Sequence, residues 1–184
     1  MNAAKIIYQG KTKKGHGILI RYPAKGDLRE LQKYINALSK EQTFIVFQGE
    51  HVTLKDERKY LSDQLKKIAK KEAVKLIALR GKEIIGISDI TMQEKVEKHI
   101  GVFGITVARK FRGEGIGKLL MGMVLKEAKK NLPKLKIVKL GIFANNDLAM
   151  TMYKQFGFKE FGRLPKGILY KDGAVDHIYM YREI

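Results

Sequence analysis

At 184 residues the chain is long enough to bury a core within one domain, and 45% hydrophobic residues exclude a disordered protein. The absence of cysteine excludes a disulfide framework, a Cys-ligated zinc and a Cys nucleophile. The balance of 37 basic to 19 acidic residues, a net charge of +18, favours encounter with polyanions: nucleic acid, acidic surfaces or phosphorylated cofactors.

Residues 1–16 are expected to be a loosely attached basic segment, followed by one domain over 17–184. The first seventeen residues lack the apolar core and cleavage site of a signal peptide. No apolar stretch approaches the ~20 residues that cross a bilayer. A cytoplasmic protein without membrane attachment is therefore expected. Gly17 to Tyr22 reads as a strand stopped by Pro23. Asp27 with Glu30 reads as a capping box, after which Leu28, Leu31, Ile35 and Leu38 recur at helical spacing. Thr53 with Asp56 repeats the start signal, and Leu61, Leu65 and Ile68 supply the second helix's buried stripe. Lys66, Lys67, Lys70 and Lys71 lie late in that pattern, where a solvated face and the helix dipole account for them.

Val74 to Leu79 and Glu83 to Ile90 form a predicted hairpin about the Arg80-Gly81-Lys82 turn. After a polar connection, Ile100 to Val107 is another strand. A helix follows from about Gly115 to Asn131. Lys136 to Phe143 is a strand and Asp147 to Gln155 a short helix, with Gly157 as its stop. Lys159 to Leu164 and His177 to Arg182 are the last strands, separated by a turn containing Asp172-Gly173. The order β-α-α-β-β-β-α-β-α-β-β predicts an α+β (mixed α/β) domain. Antiparallel hairpins precede a right-handed βαβ crossover.

The segment from Arg109 to Lys118 joins a strand to a helix and carries Gly113, Gly115 and Gly117 at alternate positions. Such glycines let the backbone curl around a ligand. The helix start presents unpaired N–H groups and the positive end of its dipole, a ready pyrophosphate site. Arg112 and Lys118 add charge at its edges. The spacing is not the G-x-G-x-x-G of a dinucleotide fold, and no acidic residue ends the next strand. Nor is it a Walker loop, because Lys118 comes too early and Leu119 replaces the Ser or Thr.

What does fit is Arg-x-x-Gly-x-Gly, as Arg112-Gly113-Glu114-Gly115-Ile116-Gly117, which resembles the acetyl-CoA-binding motif of the GNAT acyltransferase superfamily. A second block, from Asn146 through Ala149 and Tyr153 to Gly157-Phe158, resembles that family's N-x-x-A-x-x-x-Y-x-x-x-G-F segment. The two blocks lie a helix and a strand apart, as in the family, and the element order is similar over nearly all of 17–184. The resemblance implies a central, mostly antiparallel twisted sheet with one splayed parallel strand pair and about four flanking helices. Glu50, Thr53, Glu57, His99 and the Asp172-Gly173…Asp176…Met180 run resemble a bacterial and archaeal subgroup acting on amino acids and small amines.

By that resemblance the backbone of Ile105, Thr106 and Val107 pairs with the pantetheine of acetyl-CoA. The amides of Arg112, Gly113, Glu114, Gly115, Ile116, Gly117 and Lys118 hold its diphosphate, and Asn146 meets the pantetheine arm. Tyr153 faces the thioester sulfur, where a phenol of pKa near ~10 stays protonated and can donate to the departing thiolate. The resemblance implies transfer of an acetyl group to a primary amine, a small amine or amino acid being favoured, by direct attack in a ternary complex. Glu50 is the candidate for binding the amine and assisting its deprotonation, with Asp89, Glu94 and His99 as other bases. No metal is called for. Homodimers are common in that superfamily, and the resemblance carries that expectation here.

Other readings stay open at this point. The acceptor is alternatively a protein N-terminus or lysine, and a CoA-binding regulatory module without catalysis is a reading from another class. A basic nucleic-acid-binding domain is the third. It is disfavoured because no nucleic-acid motif or aromatic–basic interleaving is present.

Overall fold

The computed structural model describes residues 4–171 and 173–184. Among them are eight strands and four α-helices: β1 (Ile6–Lys11), β2 (Gly17–Arg21), α1 (Leu28–Lys40), α2 (Leu54–Ala69), β3 (Ala73–Arg80), β4 (Glu83–Met92), β5 (Ile100–Val107), α3 (Ile116–Asn131), β6 (Ile137–Phe143), α4 (Asp147–Gln155), β7 (Lys159–Tyr170) and β8 (Gly173–Glu183). Hydrogen bonding orders the sheet β1-β2-β3-β4-β5-β6-β8-β7. The β5–β6 pair is parallel, and the β1–β2, β2–β3, β3–β4, β6–β8 and β7–β8 pairs are antiparallel. This is the α+β class expected from the sequence. No helix of the described residues is long and apolar enough to cross a membrane.

The chain divides into two compact units, Met1–Thr91 with Gly104–Pro133, and Met92–Phe103 with Lys134–Ile184. In the first, β3 is buried from Ala73 to Leu79. Side chains alternate along a strand, so Lys75, Ile77 and Leu79 share one face. On that face Ile77 and Leu79 pack with Leu31, Tyr34 and Leu38 of α1 and Leu61 of α2 in one cluster. The opposite face belongs to α3. Gly86, paired with Ala78, lets that helix approach: a Cβ there would lie 2.9 Å from Leu120 Cδ1 and 3.3 Å from the Thr106 carbonyl oxygen. Gly86→Val is expected to cost about 1–3 kcal/mol, the ordinary penalty of overpacking, read as a lower Tm in a thermal melt.

Two helix starts differ in an instructive way. Thr53 caps α2 as expected, accepting from Asp56 N–H at 3.2 Å. Asp27 precedes α1 without capping it through its side chain. Its carboxylate instead takes both Arg21 nitrogens at 2.7 and 2.8 Å and the Ala24 N–H at 2.7 Å. A bidentate guanidinium outcompetes a helix N–H for the same oxygens.

The loosely attached segment expected over residues 1–16 contains β1, which pairs with β2 from Ile6 to Lys11. Its sequence IIYQGK lacks a sustained alternation, because a register shift interrupts the pairing between Ile6 and Tyr8. The last hairpin also runs further than expected. Pro165 and Gly167 look like terminators after Leu164, yet β7 continues to Tyr170 through an irregularity between Leu164 and Ile168. Lys166 takes a left-handed φ of 52° there, so the extra residues are absorbed as a bulge. Of the expected Asp172-Gly173 turn, Asp172 lies outside the described residues.

In the second unit β6 is central. It pairs in parallel with β5 over Ile100–Val102 and antiparallel with β8 along Ile137–Phe143.

Candidate functional site

The glycine turn belongs to the first unit. β5 ends where Ala108 N–H donates to Ile85 C=O at 2.9 Å, and a single 3-10 turn over Arg109–Phe111 follows. Gly113 and Gly115 then take φ of 79° and 83°, the left-handed region that favours glycine. Gly115 is the N-cap residue of α3, so the amides of Ile116, Gly117 and Lys118 open the helix without intrahelical partners. Curled backbone and helix start coincide, and these residues fit a diphosphate.

Arg112 and Glu114 prove to be structural members of this turn. Arg112 donates to Glu41 Oε2 at 2.6 Å and to the Val107 carbonyl at 2.9 Å, tying the turn to the end of α1. Glu114 is buried and accepts from Thr12 Oγ1 at 2.8 Å, with His16 Nδ1 at 3.0 Å. Lys13 N–H donates to the Glu114 carbonyl at 3.2 Å, and the Lys13 stem lies over Gly115. The β1–β2 hairpin thus clamps the turn from above.

Hydrogen bonds from His16 and then Thr12 hold the Glu114 carboxyl below the usual carboxylate range. The clamp is therefore present above the ordinary carboxylate pKa and lost as pH falls through the lowered value. Glu114→Ala is expected to weaken acetyl-CoA binding about tenfold, the equivalent of one ordinary hydrogen bond, in calorimetric titration at neutral pH.

Beside β5, still in the first unit, lies a cavity of about 520 Å³, lined by Glu50, Glu57, Lys75 and Asp89 together with Ile105 and Thr106. Thr106 is fixed there by a 3.0 Å hydrogen bond with Tyr34 Oη. The 43–52 loop is held against α1 through Asn36, which exchanges hydrogen bonds with Val52 at 2.8 and 3.0 Å. Ser39 Oγ donates to the Glu50 carbonyl at 2.7 Å. The Glu50 side chain is exposed at the cavity, its carboxylate taking the Gln48 N–H.

Glu57 and Lys75 are among the lining residues that the sequence did not mark as site residues. Glu57, in the first turn of α2, is only 5% exposed. Burial pushes its carboxyl above the usual range, and the Lys75 charge pulls it partly back. Lys75 stands directly opposite Asp89 in the β3–β4 register. Its Nζ lies 2.8 Å from Tyr60 Oη and 3.4 Å from Asp89 Oδ1. Burial alone would push this ammonium down, but Asp89 and Tyr60 outweigh it and its pKa is raised.

In the second unit, Asn146 caps α4, its Oδ1 accepting from Ala149 N–H at 3.3 Å. The C-terminus closes as a Schellman motif: Phe158 N–H bonds the Tyr153 carbonyl at 3.0 Å and Gly157 N–H the Lys154 carbonyl at 2.9 Å. Gly157 has φ of 80°. The Asn and Gly-Phe ends of the second sequence block are thus the start and stop of a helix that carries Tyr153. The Tyr153 ring packs on Phe103, edge to face at 5.9 Å, and on Phe158 at 6.0 Å. Burial pushes its phenol up to about 12. No hydrogen bond ties its hydroxyl to another described residue.

Of the expected bases, Glu50 and Asp89 line the cavity, whereas Glu94 and His99 do not. Glu94 precedes a 3-10 turn, and the His99 carbonyl accepts from Lys136 and Ile137 N–H, a structural role at the start of β5.

Residues 34–158 match the family model for the Acetyltransferase (GNAT) family. The L-amino acid N-acetyltransferase AaaT of Escherichia coli (strain K12) is 29% identical over 108 residues, which make 58% of this chain and 66% of that protein. The chain thus spans just under two thirds of that curated relative's length. A GNAT-family acetyltransferase from Streptococcus pneumoniae superposes with a TM-score of 0.83 at 25% identity, covering 91% of this chain and 99% of that one. YncA of Salmonella typhimurium, solved with acetyl-CoA, superposes at 0.77 with 14% identity over 90% of this chain and 93% of its own.

Proposed function

The chain belongs to the GNAT acetyltransferase family, and on that premise we propose that it transfers an acetyl group from acetyl-CoA to a primary amine, a small amine or amino acid, by direct attack in a ternary complex. The observation that carries the acceptor class is the cavity beside Ile105 and Thr106, whose lining includes Glu50, Glu57 and Asp89. Carboxylates converging on a pocket whose other lining is largely apolar, Lys75 apart, suit an ammonium group.

The diphosphate of CoA is held by the amides from Arg112 to Lys118, its pantetheine by the backbone of Ile105, Thr106 and Val107, and the pantetheine arm by Asn146. The thioester supplies the acyl carbon. Glu50, at the cavity's exposed side, receives the substrate ammonium. Glu57 takes its proton, and the neutral amine nitrogen forms a bond to the carbonyl carbon. The tetrahedral nitrogen gives its second proton to solvent, and the carbon–sulfur bond breaks as CoA leaves as a thiolate. Among the candidate bases Glu57 is best matched, because a carboxyl raised by burial lies nearer neutral pH. Asp89 is engaged by Lys75, and Glu50 holds a backbone amide.

Tyr153 donates a hydrogen bond to the departing sulfur. With its phenol at about 12, it is a weaker acid than a thiol of ordinary pKa, about 8.5. It therefore stabilises the thiolate without surrendering its proton, and solvent supplies the proton that completes free CoA. A cytoplasmic setting, the compartment that supplies CoA thioesters, goes with this reading.

Calorimetric titration with acetyl-CoA followed by a thiol-release screen across amino acids, amines and peptides tests the proposal. Micromolar binding with turnover on a small amine or amino acid is the expected result. Turnover on peptides alone would move the acceptor to a protein N-terminus, and failure to bind acetyl-CoA would overturn the assignment of the turn.

A further inference from the structure

β3 is apolar from Ala73 to Leu79 except for one residue, Lys75, whose side chain is 4% exposed. Burying an ammonium in the middle of a sheet is costly, and an apolar side chain of similar volume would serve stability as well or better. The charge therefore calls for a use other than holding the fold. An ammonium has three N–H donors. Tyr60 takes one at 2.8 Å, and Asp89 approaches a second only at 3.4 Å. The same group lines the cavity with Glu50 and Glu57.

Across the strands the charges fall in a row. Lys75 on β3 stands opposite Asp89 on β4. Asp89 in turn lies beside Gly104 of β5, where a Cβ would come 3.6 Å from its Oδ1. The cavity thus offers a buried cation next to carboxylates, at the strand proposed to carry the thioester. A simple amine needs only the carboxylates. An α-amino acid carries an ammonium and a carboxylate on one carbon and complements both.

Building on the acetyl-transfer reading above, we propose that Lys75 is the specificity-determining residue that binds the acceptor's free carboxylate. The enzyme then acts on free amino acids in preference to amines lacking a carboxylate and to peptide N-termini. The weak Lys75–Asp89 contact is the one that yields. The substrate carboxylate takes its place on Nζ, and the released Asp89 joins Glu50 in holding the substrate ammonium, with Glu57 still taking its proton.

The test compares each common L-amino acid with its α-carboxamide, which mimics a peptide N-terminus, and with the decarboxylated amine, by thiol release at saturating acetyl-CoA. For the best acceptor we expect the acid to exceed its amide at least tenfold in kcat/KM. Lys75→Met should collapse that ratio toward one by raising the acid's KM, and Lys75→Arg should restore part of it. Because Lys75→Met leaves Asp89 unpaired, Lys75→Met combined with Asp89→Asn supplies a variant with neither charge. Unchanged acetyl-CoA affinity certifies the fold of each. Equal use of acid and amide by the unmodified enzyme overturns the proposal, as does a parallel loss on both in the variants. If acetyl-CoA binds yet no amine is acetylated, the transfer reading fails separately. Titration of amino acids into the CoA complex then decides the role of Lys75: binding abolished by Lys75→Met supports it, and no binding to the unmodified protein overturns it.

Discussion

Tyr153→Phe is expected to lower kcat by roughly 10²-fold, the loss typical of one donor aimed at developing negative charge, while the acetyl-CoA Kd stays within about twofold. The substitution removes only the hydroxyl. The ring keeps its packing on Phe103 and Phe158, and the Schellman stop that positions α4 is made by backbone alone. Burial sets the pH behaviour. The phenol, ordinarily near 10, is pushed up to about 12, so the donor remains protonated throughout the working range. No alkaline fall in kcat should be assignable to it below about pH 10. A proton-transferring acid with a pKa matched to the thiol would show such a fall. Stopped-flow measurement of thiol release in both forms checks this. An unchanged kcat would remove Tyr153 from the chemistry, and a lost Kd would make it a packing residue.

The turn and the α4 block were legible in the sequence because each is a local device. Left-handed φ at Gly113 and Gly115, a side-chain cap at Asn146 and a glycine stop at Gly157 are all written within a few residues of where they act. The fold class followed from the same local signals. What escaped depends on partners distant in the chain. Arg112 reads as a free cation for phosphate until Glu41, 71 residues away, is seen to hold it. Glu114 enters the sequence reading only through its backbone amide, yet Thr12 and His16 engage its carboxylate from 102 and 98 residues away.

The cavity was hidden for a related reason. Glu57 sits in the first turn of a capped helix, where an acid is ordinary company for the dipole. Lys75 falls within Val74 to Leu79, a run read only as a hairpin strand. Only packing of α1 and α2 over that face of β3 turns both into buried groups. Glu50 was singled out by the family resemblance, and it lines the same cavity.

The two carboxylates should separate cleanly by mutation. Glu57→Gln is expected to reduce kcat/KM for the acceptor by roughly 10³-fold, within the usual range for a general base. Glu50→Gln should act chiefly through KM, since a group that only holds the ammonium binds ground and transition states alike. Gln preserves the volume of Glu57 and removes a carboxyl that burial has raised, so the fold is not expected to suffer. The pH profile carries the decisive sign. A base must be ionised, so activity should rise with pH through the raised Glu57 value and lose that limb in Glu57→Gln. The acceptor's own amine must also be neutral, but its limb moves when acceptors of different amine pKa are compared. A limb that stays fixed across acceptors and vanishes in Glu57→Gln identifies the base. One that survives the substitution returns the proton to Asp89 or to solvent, and leaves Glu57 as a shaper of the pocket.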